Sequence, residues 1–253
     1  TSTGTPNLAD VDQIRIHHDT WDAGFAVTFD GVQFVNLGEP PAGPPAPFQV
    51  DPDAISPRVA LFIFDPTDPA EGNQRTHQVY GWQDPELLAR QVVKDFLDVS
   101  HGKARFNVVE VNWLNEHPRF DDGFQHTPAS FAVAWANHDF HEGHQFDYVG
   151  FAQQHNLGAR VDAGEIDEVW IYAPPIGGMW ESCMAGQGAY WINGPAYPAA
   201  GGQRVYPIMG LNYERGVAEA IHSFGHRVES TMVHSYGPWA PNRDTTWNRF
   251  TLL

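Results

Sequence analysis

Cysteine is almost absent: Cys183 is the single one in 253 residues. It has no partner for an internal disulfide, and a cysteine-built zinc finger is excluded. Cations are scarce too, with 14 Lys and Arg against 31 Asp and Glu, a formal charge of −17. So acidic a chain repels phosphate backbones, which argues against nucleic acid as a partner. It suits solubility, cationic substrates or metal ions. No apolar run reaches the roughly 18 residues that a membrane-spanning helix needs. The longest apolar patches, such as residues 59–64, are strand-sized. There is no phosphate-cradling loop, because the glycine-rich stretch GGMWESCMAGQG lacks both the Lys and the spacing. A Gly-x-Ser-x-Gly nucleophile elbow is also missing. Cys183 remains as a minor candidate nucleophile.

What is present is a chain 42% apolar, with 24 Gly, 20 Pro and 9 Trp. That composition supports a sizeable core, many loops and either thick aromatic packing or an aromatic groove. Alternating residues over 11–37 predict a β-hairpin with Asp30-Gly31 at its turn. EPPAGPPAP, residues 39–47, is too donor-poor for regular structure and reads as a connector. The division is therefore a β element with its connector at 1–50 and a main domain at 51–253. Strands are expected at 58–65, 104–113, 168–173 and 204–211, and helices at 84–100, 140–155 and 213–234. Asp84 caps the first helix and Pro85 opens it. This alternation predicts an α/β fold with a mainly parallel sheet flanked by helices, which takes ligands at the carboxyl ends of its strands.

The strongest chemical signal lies in NYERGVAEAIHSFGHRVESTM. Glu219, His222, His226 and Glu229 fall within an arc of about 80° on one helical face. His222 and His226 are four apart, the spacing by which a helix offers two imidazoles to one zinc ion. Glu229 is then the expected third ligand. The zinc-peptidase motif has Glu directly after its first His, whereas Ser223 stands here. The water-activating base must come from elsewhere, either Glu219 or Glu181. Ile221, Phe224, Val228 and Met232 are expected on the buried side, and Gly225 to mark close approach of a neighbour beside His226.

Residues 174–195 are glycine- and aromatic-rich, and Glu181 is the only acid among them. A carboxylate beside Trp180, Met184, Tyr190 and Trp191 suits general acid–base work. HDFHEGH, residues 138–144, could donate a further ligand or hold a separate ion. So, more weakly, could His17-His18-Asp19. The stretches EVWIYAPPIGGMWESCMAGQGAYWINGP and YERGVAEAIHSFGHRVESTM resemble a family of bacterial proteins read as exported, to which no activity is attached. The resemblance runs from about Arg58 onward. It implies that Glu181, His226, Arg227 and Glu229 belong to shared motifs, and that the chain continues past Leu253. Arg227 joins Glu181 and Glu219 as a candidate catalytic residue on that basis. The start TSTGTPN, without Met, fits a processed chain and an extracytoplasmic location.

The expectation is thus a secreted, zinc-dependent hydrolase with His222, His226 and Glu229 as ligands and a peptide as first substrate. One rival is a metal-free enzyme on glycans. There Glu181 would pair with Glu219 or Glu229, and Trp180 and Trp191 would be sugar platforms. Another is a non-catalytic binding protein in which the polar helix is a buried network.

Overall fold

A computed structural model describes residues 54–238 and the backbone of two short strands, 15–18 and 25–28. The chain divides into two units, Thr1–Gln49 and Val50–Leu253. In the first, β1 (Arg15–His18) pairs antiparallel with β2 (Phe25–Thr28), Arg15 opposite Thr28. The described hairpin therefore joins the Ile16 and Val27 runs. Asp30-Gly31, the connector and the His17-His18-Asp19 side chains lie outside the described residues.

The second unit runs in chain order as β3 (Arg58–Phe64), β4 (Thr67–Asp68), β5 (Gln74–Arg75), α1 (Thr76–Tyr80), α2 (Pro85–Val99), β6 (Asn107–Leu114), α3 (Pro128–Asn137), α4 (Tyr148–Gln154), α5 (Leu157–Asp162), β7 (Glu168–Ala173), β8 (Ser182–Ala185), β9 (Ala196–Tyr197), β10 (Tyr206–Asn212) and α6 (Val217–Tyr236). Six strands form one sheet in the order β6-β3-β7-β10-β8-β9. β6, β3, β7 and β10 are mutually parallel, and β8 runs antiparallel to β10. The fold is α/β with a mostly parallel sheet and helices around it.

β3 and β7 read as continuous apolar runs because both faces are covered. Val59, Leu61 and Ile63 turn to one face with Trp170 and Tyr172, against Leu88 and Val92 of α2 and Phe224 of α6. Ala60, Phe62 and Phe64 turn to the other with Val169 and Ile171, against Phe151, Leu157 and Val161 of α4 and α5. Each fully buried Phe, Leu or Ile contributes about 1.5–3 kcal/mol of transfer free energy.

Two elements depart from the sequence expectation. The helix expected at 140–155 is confined to α4. His141 and Gly143 both take positive φ, 51° and 88°, which ends any helix there, and Asp147 caps the real start by accepting the Gly150 N–H at 2.8 Å. α6 begins at Val217 rather than Tyr213. The Tyr213 side chain is drawn instead to the carboxyl end of β3, its hydroxyl 3.0 Å from the Phe64 carbonyl and 3.3 Å from Asp65 Oδ1. Strand order reverses between β3 and β7, the point where such sheets form a crevice. Asp65 is fully buried there. It accepts the His77 N–H at 3.0 Å, and its Oδ2 lies 2.6 Å from His77 Nδ1. A cavity of about 280 Å³ opens at the carboxyl ends of β7 and β10, lined by Pro174, Ile176, Met179 and Asn212.

Candidate functional site

α6 leaves β10 through a tight turn in which Asn212 Oδ1 accepts the Glu214 N–H at 2.8 Å. Gly216 is the N-cap, and Glu219 turns back to accept its N–H at 3.0 Å. That bond satisfies one of the donors every helix start leaves open. Ala220, Ser223 and Phe224 face inward. The Phe224 ring meets those of Phe96, Phe106 and Trp170 at 4.9, 5.7 and 5.1 Å. Val228 is 58% exposed, so the buried stripe is rotated from the one expected. His222 and His226 stand off it, their rings edge to face at 4.4 Å between centroids.

Glu181 arrives from a different part of the chain. Its backbone carbonyl accepts the Gly210 N–H at 3.1 Å, just where β8 begins to pair with β10. This approach requires glycine at 210: a Cβ there would sit 2.3 Å from the Trp180 carbonyl and 2.9 Å from Met179 Cβ. Gly194 closes the other side, since its Cβ would lie 2.4 Å from the Ser182 carbonyl. The same returning loop carries Asn193, whose Nδ2 donates to Glu181 Oε2 at 2.5 Å. Behind it, the Trp180 N–H donates to the buried Tyr148 hydroxyl at 2.7 Å.

The outcome is a three-residue constellation. One ligand atom from each of Glu181, His222 and His226 lies within 4.8 Å of the other two. Ligands on one tetrahedral ion at 2.0–2.1 Å are about 3.3 Å apart, so small side-chain rotations would close the set. The site is open to water, the His226 side chain being 40% exposed.

No protein-family model, curated protein or solved structure matches the chain. Site chemistry here follows from side-chain placement alone.

Of the six residues singled out in the sequence, Glu181, His222 and His226 come together. Glu229 does something else: its Oε2 lies 3.0 Å from His226 Nδ1. A carboxylate holding Nδ1 fixes the ring and its tautomer and leaves Nε2 as the nitrogen able to coordinate. Glu219 is engaged at the helix cap. Arg227 points away, to a charge-assisted bond with the buried carboxylate of Glu168. Asn193 was not signalled by any motif; only its place in an Asn-Gly turn returning over Glu181 marks it. Cys183 is fully buried, and burial pushes its thiol well above the ordinary range, so it is no nucleophile.

Gly225 does not mark a close approach. Among the described residues, a Cβ there would have no neighbour within 4 Å. Gly225→Ala should therefore raise stability by up to about 1 kcal/mol through helix propensity alone. A lower melting temperature in that variant would reveal a partner pressed against this face.

Proposed function

We propose that the protein is a zinc-dependent hydrolase acting outside the cytoplasm, with peptides as its first substrate class. One observation carries this reading: the Glu181 carboxylate, 41 positions from His222, is brought by strand pairing onto the two imidazoles of α6. His222, His226 and Glu181 would hold the ion, leaving a fourth position open, as catalytic sites do. A zinc ion in such a site supplies Lewis acidity and a water acidified to near neutral pH. The protein's own part is orientation. Asn193 fixes the Glu181 carboxylate and Glu229 fixes the His226 ring. In the same loop as Glu181, Trp180 and Trp191 are 39% and 55% exposed and meet edge to face at 5.7 Å, which offers a substrate an apolar aromatic surface. The helix-borne pair of His four residues apart favours a peptide substrate, by analogy of spacing. The exposed Trp pair is the observation that favours the second reading, a glycan.

Elemental analysis of the zinc-equilibrated chain, coupled to peptide and glycan hydrolysis assays, tests this. His222→Ala/His226→Ala should lower bound zinc by about one equivalent and reduce hydrolysis at least 100-fold, with near-UV circular dichroism unchanged. Hydrolysis that persists under a strong chelator would sink the metal mechanism. Zinc content unaltered by the double substitution would remove this site.

A further inference from the structure

Two loops outside that constellation bring a second set of metal-ligating groups together. Asp122 follows Phe120, a fully buried ring, and the 138–147 loop returns over it. The Asp121 N–H donates to the Gln145 carbonyl at 2.8 Å, and Phe120 bridges to Phe146, so the loops are stitched together. His141 Nε2 lies 3.0 Å from Asp122 Oδ2, and His144 Nε2 lies 3.7 Å from the same oxygen. Asp122, His141 and His144 each offer one ligand atom within 4.8 Å of the others. The two measured separations bracket the roughly 3.3 Å edge of a tetrahedral zinc site.

The surroundings are organised as ligand surroundings usually are. Asp121 Oδ1 lies 2.9 Å from His144 Nδ1 and so fixes the tautomer that leaves Nε2 free to coordinate. The Phe124 N–H donates to Asp122 Oδ1 at 2.9 Å and holds Oδ2 toward the imidazoles. The His141 ring is held between aromatics, stacked on Phe124 at 4.3 Å and edge-on to Phe120 at 4.8 Å. Its backbone sits at φ 51°, a conformation uncommon outside glycine and one that clusters at functional sites.

We propose that Asp122, His141 and His144 form a second site for a zinc-class divalent ion, with Asp121 as the positioning carboxylate for His144. Two imidazoles and one carboxylate suit zinc and its transition-metal neighbours better than calcium or magnesium, which take oxygen ligands. Three protein ligands leave the coordination shell open to water or to a substrate group. The loops that carry the two sites touch: Gln145, next to His144, accepts the indole N–H of Trp180, next to Glu181, at 2.9 Å.

The test counts zinc in the full chain. Protein stripped by chelation is titrated with zinc alone, by calorimetry and by elemental analysis at saturation. His141→Ala/His144→Ala should bind one equivalent fewer than the parent, whatever happens at α6. Asp122→Asn, nearly isosteric, guards against a folding artefact and should lose the same equivalent. Asp121→Asn should keep the stoichiometry and weaken that equivalent 10–100-fold. His222→Ala/His226→Ala should leave it intact, so a failure at α6 and a failure here are told apart. The proposal is overturned if Asp122→Asn or His141→Ala/His144→Ala takes up as much zinc as the parent, with the same affinity.

Discussion

Arg227→Ala should lose about 3 kcal/mol of stability, one of the larger single effects this fold can show. Glu168 opens β7 with its side chain 2% exposed, and Arg227 reaches it from α6 with 21% exposure. Among the described residues, the other side-chain partner of Glu168 is the Trp170 indole N–H, which donates to it at 3.2 Å. Removing the guanidinium leaves a carboxylate in the interior with one neutral donor among the described residues, and an uncompensated buried charge costs far more than an ion pair contributes. The loss stays near the low end of the range because the guanidinium is partly in water. Arg227 also covers Phe224, its guanidinium carbon 5.5 Å from the ring centre, so some packing goes with the charge. Adding Glu168→Gln to the variant should recover more than half of the loss in urea unfolding. If Arg227→Ala instead unfolds like the parent while hydrolysis collapses, then Arg227 serves the reaction and not the fold.

That contrast shows where the sequence was readable. Helical periodicity put His222 and His226 on one face, and Asp84-Pro85 marked the start of α2, because both signals are local. Which acid would meet the histidines was not local. Glu219 and Glu229 are nearest along the helix, yet one is used by the Gly216 cap and the other sits behind His226. Glu181 wins because β8 pairs with β10, a contact that depends on Gly210 and Gly194 lacking side chains. β8 is four residues long and β9 two, too short to show a period. α3 did carry a usable signal: Thr127 and Ser130 form its capping box around Pro128, in the run Thr-Pro-Ala-Ser. HDFHEGH looked like a helix start. The glycine in it makes a turn instead, and that turn folds His141 and His144 back onto Asp122.

The second large effect concerns acid. His117 is 2% exposed, its ring stacked on Phe131 at 4.6 Å between centroids. Its Nε2 has no hydrogen-bond partner among the described residues. Burial, with a smaller contribution from nearby His126, lowers the imidazole to about 3. An unfolded chain protonates that histidine near its ordinary 6.5. Between those two values the unfolded state binds the extra proton and the folded state does not. Stability therefore falls as pH drops from about 6.5 to about 3, by at most about 5 kcal/mol, and the contribution flattens below that. His126 is shifted down mainly by its own burial and adds in the same direction. Both His117 and His126 lie outside the two proposed ligand sets, so a chelator can be present throughout to remove any stabilisation by bound ions. Under that condition His117→Leu, which keeps an apolar side chain on Phe131, should retain most of its neutral-pH stability at pH 4.5 while the parent loses several kcal/mol. Parallel losses in the two proteins across that range would mean that the imidazole is charged in the native state, and that the pocket beside Phe131 admits water.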